Sequence, residues 1–285
     1  ESNILFRSVI QEDFEQLKSL HELLFPVRYA DSFYSEICSS ANDRHRKFTD
    51  EDCKTNETEL SSFSISHRLS EAGFSDKNMF ACIAVIQSVE NMTSSVPIEN
   101  SSYEIVGFVL AQMFSVYSCP DRDLIQEPFL VFGNPQNNDD LVCYILTLGT
   151  KPSHRRGGLG SKLMDICISC CKKTMSCAAI YLHVIHYNES AIAFYRKNNF
   201  MCLQTLHDFY KINGKFHTAY LYIQYFNGKQ GPLYYRIYYN FRDVCEKGFS
   251  WTLRVMIRVT PRYVSNFLRS LYPSQCAVTN TINPG

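Results

Sequence analysis

Two places in the sequence hold residue types that can do chemistry at their spacing. Residues 155–161 read Arg-Arg-Gly-Gly-Leu-Gly-Ser, a basic, glycine-rich run. Where such a run joins a strand to a helix, successive backbone amides and the positive helix end can hold a pyrophosphate. Glycine lets the backbone approach the phosphates closely. The run is not a Walker A loop, since it lacks the Gly-Lys-Ser/Thr ending, and it is not a GxGxxG fingerprint. The second place is the pair Tyr144 and His183, each inside an apolar stretch of strand character, LVCYILTLGT and AAIYLHVI. A period of two puts Tyr144, Leu146 and Leu148 on one face of the first, and Tyr181, His183 and Ile185 on one face of the second. If these strands are neighbours, Tyr144 and His183 face one cleft. A histidine and a tyrosine facing one cleft could act in general acid–base catalysis. By residue type alone, both are also ordinary satisfied core groups.

The elements that must position them can be read from periodicity. Residues 3–9 predict a strand. Asp13 to Leu24 carries Phe14, Leu17, Leu20 and Leu24 at helical spacing. Phe25-Pro26 interrupts that helix, because proline lacks a donor and restricts its predecessor. A second helix follows over residues 30–38. Residues 40–77 turn polar without a period and read as an inserted loop. Strands are expected at 79–87 and 104–114, and residues 115–140, with their prolines and Asn/Asp cluster, read as a second long connection. After the glycine-rich run, Leu159, Leu163, Ile166 and Cys170 form a helix stripe, and Asn188 caps a short helix ending near Asn198. Strands alternating with helices indicate a mixed α/β domain.

Composition narrows the functional classes. Lys plus Arg and Asp plus Glu both number 28, so no global charge favours nucleic acid. The 12 cysteines are scattered through periodic segments rather than set in a disulfide framework. The densest group, Cys167, Cys170, Cys171 and Cys177, lacks the second spaced pair of a zinc site and reads as small core residues, so no metal is expected.

The turn RRGGLG resembles the acetyl-CoA loop of the GNAT acetyltransferases, Arg/Gln-x-x-Gly-x-Gly/Ala. The wider match is similar to the NatF-type N-alpha-acetyltransferases of that superfamily: FPVRYADSFY, YILTLG, YLHVIHYN and AIAFYRKNNF, spread over most of residues 3–225. The resemblance implies a GNAT acyl-CoA N-acyltransferase fold, a mixed twisted sheet flanked by helices. It implies acetyl transfer from acetyl-CoA to protein N-termini that begin with Met, often those of transmembrane proteins. Histone lysines are a lesser acceptor in that family. Tyr144 and His183 are then the positions that deprotonate the amine through water. The backbone of Leu148, Gly149 and Thr150 would polarise the thioester and pair with the pantetheine arm. Arg156, Gly157, Gly158, Leu159, Gly160 and Ser161 would hold the pyrophosphate. Asn188, Tyr195, Arg196, Lys197 and Asn198 fall on the cofactor's other side, with Tyr195 a proton donor to the leaving thiolate or, alternatively, a core aromatic. Phe25, Pro26, Tyr29, Leu146, Phe209 and Tyr210 match substrate contacts, and aromatic walls suit a methionine side chain. The sequence departs from the family at Arg28, where an acidic residue is usual, and at Phe209, where a tyrosine is usual.

A boundary is expected near residue 228, with a catalytic domain over 1–228 and a tail over 229–285. From Lys229 onward eight Lys/Arg stand against two acidic residues among many aromatics. A basic amphipathic helical tail lies readily on an anionic membrane surface. The resemblance places it as a peripheral anchor on the cytosolic side of the Golgi membrane; the alternative is packing on the domain or on a second copy in a homodimer. The rival to an enzyme is a catalytically silent CoA-binding membrane adaptor.

Overall fold

The computed structural model describes residues 4–39, 47–49, 78–87, 103–125 and 140–227. The chain divides into two units, Glu1–Leu124 with Phe132–Lys229, and Ile125–Val131 with Gln230–Gly285. The sheet and its long helices belong to the first unit. The predicted tail over 229–285 lies outside the described residues.

The described elements run β1 (Ile4–Ser8), α1 (Phe14–Leu24), α2 (Asp31–Ser39), β2 (Lys47–Phe48), β3 (Met79–Gln87), β4 (Tyr103–Ser115), β5 (Leu141–Thr150), α3 (Leu159–Lys173), β6 (Cys177–Ile185), α4 (Glu189–Lys197), β7 (Met201–Ile212) and β8 (Lys215–Tyr225). The strands form one sheet in the order β2-β1-β3-β4-β5-β6-β8-β7. Pairing is antiparallel except between β5 and β6, which are parallel and joined through α3. Helix crossovers of this kind are what parallel neighbours require.

Each sheet face carries a core. On one, α3 buries Leu159, Leu163, Met164, Ile166, Cys167, Cys170 and Cys171 against Val109, Cys143, Ile145 and Ile180. On the other, Leu17, Leu20, Tyr34 and Ile37 of α1 and α2 meet Ile83, Phe108 and Leu110. Lys172 and Lys173 sit in the last turn of α3, where cations complement the helix dipole. Asn188 caps α4 as expected, its side chain accepting from the Ala191 amide at 3.2 Å.

Three expectations are corrected. The polar stretch 40–77 contains β2, which pairs with β1 through Phe6↔Phe48; two residues are too short to show a period, although Phe48 is buried against Phe80. The 115–140 connection is not irregular throughout. It opens with a 3₁₀ turn at Val116–Ser118 and a single helical turn at Arg122–Ile125. Finally, Leu146 and Leu148 do not share a face. The register steps from Leu110↔Thr147 to Ala111↔Ile145, so β5 holds one extra residue, a bulge. Leu146 consequently packs toward the α1 side and Leu148 toward the α3 side.

The first strand is fixed by a buried ion pair. Arg7 donates twice to Asp13, at 2.7 and 2.9 Å, while the Ile10 amide and the Tyr103 hydroxyl donate to the same carboxylate. Arg7 also lies over the Tyr103 ring, 4.8 Å from its centroid. Asp13→Ala leaves that guanidinium buried and unpaired, and should cost about 3–5 kcal/mol of stability. Urea unfolding at pH 7 reads this; a loss below about 1 kcal/mol, the scale of an exposed pair, would show the pair to be dispensable.

Candidate active site

The β5–β6 ladder ends at Tyr144↔Tyr181. Beyond that point β5 pairs only with β4, and β6 only with β8. The sheet therefore parts, and His183 stands two residues past the last pair on the face that Tyr181 shares. His183 Nδ1 lies 3.2 Å from the Tyr144 hydroxyl. Burial lowers the His183 pKa to about 4, so the ring is neutral near pH 7. Burial pushes the Tyr144 phenol far above its ordinary range. Tyr144 keeps its proton; where it donates to Nδ1, the ring proton lies on Nε2.

That nitrogen faces a residue the sequence did not single out. Asp121 Oδ1 lies 3.6 Å from His183 Nε2, too far for a hydrogen bond but close enough to stabilise an imidazolium. Among the described residues Nε2 has no hydrogen-bond partner. Burial raises the Asp121 pKa, and a hydrogen bond with Tyr181 opposes the rise. The Tyr181 hydroxyl is also 3.1 Å from Cys119 Sγ. The only local signal is the turn chemistry of Cys119-Pro120-Asp121. Nothing in it links to a histidine 62 residues on.

The residues matched to substrate contacts form two walls. Phe209 lies over the His183 ring with centroids 4.4 Å apart, and Tyr210 meets Phe209 edge-on at 4.9 Å. Phe25 stacks on His21 at 4.8 Å, Tyr29 stacks on Phe33 at 4.3 Å, and Leu146 packs against the same cluster. Tyr29, Tyr195, Tyr210 and Asp121 all bear electrostatically on the Tyr144 hydroxyl. Pro26 and Arg28, between Phe25 and Tyr29, are exposed.

The glycine-rich run enters α3. Gly158 is the N-cap in the left-handed region, φ 83°, and no side chain caps the helix. A Cβ built on Gly157 or Gly158 meets nothing within 4 Å, whereas one on Gly160 would lie 3.4 Å from Phe194 and 3.7 Å from Thr150. The first-turn amides of Leu159, Gly160 and Ser161 have no intrahelical acceptors. Arg155 Nε donates to the Thr150 carbonyl at 3.2 Å, tying the turn to the end of β5, and Arg156 is exposed with φ 68°. This open cradle of amides at a helix N-terminus, continuous with the β5 edge of Leu148, Gly149 and Thr150, fits a pyrophosphate with an extended arm. Gly149 cannot carry a side chain without displacement, since a Cβ would come within 2.7 Å of Leu24 and 3.2 Å of Phe25.

The α4 residues are placed differently from one another. Asn188 spends its side-chain oxygen on the cap, accepting from Ser190 as well. Arg196 Nε donates to the Tyr222 hydroxyl at 3.0 Å, Asn198 Nδ2 donates to the Phe194 carbonyl at 2.8 Å, and Lys197 is exposed. Tyr195 sits in the α3-side core beside Phe194, Phe200 and Tyr222, its pKa pushed up to about 12 by burial.

The chain is similar in sequence and fold to known proteins. A sequence profile described as the Acetyltransferase (GNAT) family matches residues 74–200. N-alpha-acetyltransferase 60 of Xenopus tropicalis is 26% identical over 278 residues, 95% of this chain and 89% of the relative. Histone acetyltransferase MCC1 of Arabidopsis thaliana is 24% identical over 81% of this chain and 73% of its own length. The crystal structure of Arabidopsis thaliana NAA60 with acetyl-CoA superposes with a TM-score of 0.56 at 25% identity, covering 79% of this chain and all of that one. With a bisubstrate analogue the same protein gives 0.55 at 26% identity and 80% coverage of this chain. The parted sheet, the amide cradle at the start of α3 and these likenesses give the chain a GNAT acetyltransferase fold.

Proposed function

We propose that the chain moves the acetyl group of acetyl-CoA to the α-amine of protein N-termini, chiefly those that begin with Met. The observation that carries this is the Tyr144–His183 contact of 3.2 Å at the mouth of the parted sheet. A protonated Tyr144 that already donates to a neutral imidazole can take a proton from the amine, directly or through water, while passing its own to Nδ1. Asp121, 3.6 Å from Nε2, offsets the charge that then forms on the ring. The aromatic walls around Phe209, Tyr210, Phe25 and Tyr29 suit an apolar first side chain. Acetyl-CoA supplies the activated acyl group. Backbone amides at Leu148, Gly149 and Thr150 would polarise its carbonyl, and Tyr195, which burial keeps protonated, would return a proton to the thiolate. The relative described as a histone acetyltransferase supports lysine amines as a secondary acceptor.

The basic, aromatic sequence from Lys229 onward supports peripheral attachment to a membrane surface, and the resemblance to NatF-type enzymes points to the cytosolic face of the Golgi. Among the described residues no helix is long and apolar enough to cross a membrane. Full-length protein should float with anionic liposomes, and a form lacking residues 230–285 should not. Equal flotation of the two would place the attachment elsewhere.

His183→Ala and Tyr144→Phe should each lower kcat on a Met-starting peptide by roughly 10²- to 10⁴-fold, with the KM for acetyl-CoA little changed. Retention of half the activity would remove that residue from the proton path. Blocking the peptide's α-amine while leaving a lysine free tests the acceptor, and undiminished transfer would make lysine the true substrate. The pH profile follows from the ring's lowered pKa. Because His183 ionises near 4, it is already neutral above about pH 5, and kcat/KM should rise only with the α-amine's own ionisation, near 7.7–8.0. An inflection near 6.5 that vanishes in His183→Ala would show that the ring is solvated instead.

For the cradle, Gly158→Val puts a β-branched residue at φ 83°. It should raise the KM for acetyl-CoA by about tenfold or more, and the strain at positive φ should also lower the melting temperature by a few degrees. An unchanged KM in a folded variant would locate the pyrophosphate elsewhere.

A further inference from the structure

The α3-side core contains a group of thiols that the acetyl transfer does not use. Cys143 of β5 and Cys167 and Cys171 of α3 place their sulfurs within 4.8 Å of one another, all buried. Cys167 and Cys171 are four apart, one above the other on a helix face. Cys143 comes from a strand 24 residues earlier, which is why the spacing of the α3 cysteines alone suggests only core packing. A fourth thiol, Cys177, opens β6. It lies opposite Leu141, and the register then skips Ala178, so its side chain falls on the Cys143 face. Cys177 is buried in the same α3-side core and bears electrostatically on Cys143.

We propose that Cys143, Cys167, Cys171 and Cys177 form a closed thiolate site for a soft divalent cation of the Zn²⁺ class. Structural zinc sites are four-coordinate and tetrahedral with Zn–S near 2.3 Å, which sets neighbouring sulfurs about 3.8 Å apart. The Cys143, Cys167 and Cys171 sulfurs, within 4.8 Å of one another, reach that spacing by small side-chain rotations, and Cys177, whose thiol donates to the Ala179 carbonyl at 3.5 Å, must turn inward to complete the set. Purely thiol donors select zinc over the oxygen-seeking magnesium and calcium. A bound cation would deprotonate the set and replace mutual repulsion with four metal bonds. Its place in the fold gives it a role. It would pin α3, which begins at the amide cradle, to β5 and β6, the two strands that part to form the cleft. The site is independent of the proposed acceptor, since it lies wholly on the α3 face and its test reads metal rather than acetylation.

The test uses the full chain, purified under reducing conditions without chelators and measured by elemental mass spectrometry. We expect about one Zn²⁺ per chain, and a lower melting temperature after treatment with a strong chelator. Replacement by Co²⁺ should give intense visible bands and a sulfur-to-metal charge-transfer band of tetrahedral thiolate. The pair Cys143→Ala and Cys171→Ala should abolish both the metal and the bands. Should that variant not fold, the wild-type Co²⁺ spectrum decides. Less than about 0.1 Zn²⁺ per chain with no thiolate spectrum on Co²⁺ titration would overturn the proposal, leaving these cysteines as packing. Undiminished metal in a folded double variant would overturn it too, as would an intact mass showing Cys143 in a disulfide.

Discussion

Two neighbouring strands cannot hold a ligand between them while the hydrogen bonds that join them are intact. The β5–β6 ladder stops at Tyr144↔Tyr181, and from there the backbone of β5 presents its far edge to the cleft rather than to β6. Buried backbone donors and acceptors must find partners, so an opening in the middle of a sheet is stable only if a ligand or water completes it. Both strands remain anchored on their outer sides, β5 to β4 and β6 to β8. That anchoring lets the sheet part without coming apart. The placement of the tyrosine and histidine, the reach of the amide cradle and the exposure of the β5 edge all follow from where the ladder ends.

The parting also sets the electrostatics. Tyr144 and His183 lie deep enough for burial to hold both in their neutral forms, the histidine down at about 4 and the phenol far above its usual range. A neutral pair costs little to bury, whereas a charged imidazole there would be expensive on its own. Asp121 reduces that cost, but at 3.6 Å rather than in a short hydrogen bond. The site is thus poised to accept a proton transiently and to give it up again, which suits an acceptor amine that is itself only weakly acidic when protonated.

What the sequence revealed depends on how local each signal is. The glycine-rich turn, the α3 stripe and the Asn188 cap are contained within a few residues, and the structure places all of them where periodicity and cap chemistry put them. Tyr144 and His183 needed one further fact, that their strands are adjacent. Asp121 could not be read at all, because its partner is brought to it only by the sheet. The same holds for Cys143 beside the α3 thiols, and for β2, whose two residues carry no period. The shared face expected for Leu146 and Leu148 failed for a different reason. Strict alternation assumes an unbroken ladder, and the extra residue at the β5 bulge reverses the phase beyond it.

That reversal has a functional consequence. Before the bulge, β5 sends Cys143 and Ile145 into the α3 core. At the bulge it delivers Leu146 to the wall containing Phe25 and Tyr29, and beyond it Leu148 returns to the α3 side while Gly149 comes up against Leu24 and Phe25. A regular strand would have turned Leu148 toward the same wall as Leu146 and a β-carbon at position 149 toward the cradle side. Bulges redirect side chains and increase local twist, and here one lies just past the last β5–β6 pair. The residue without a side chain falls where the chain after α1 crosses closest to the strand. One inserted residue thus lets the same ten-residue strand line the acceptor wall, press against the α1 turn and leave its edge open toward the amide cradle.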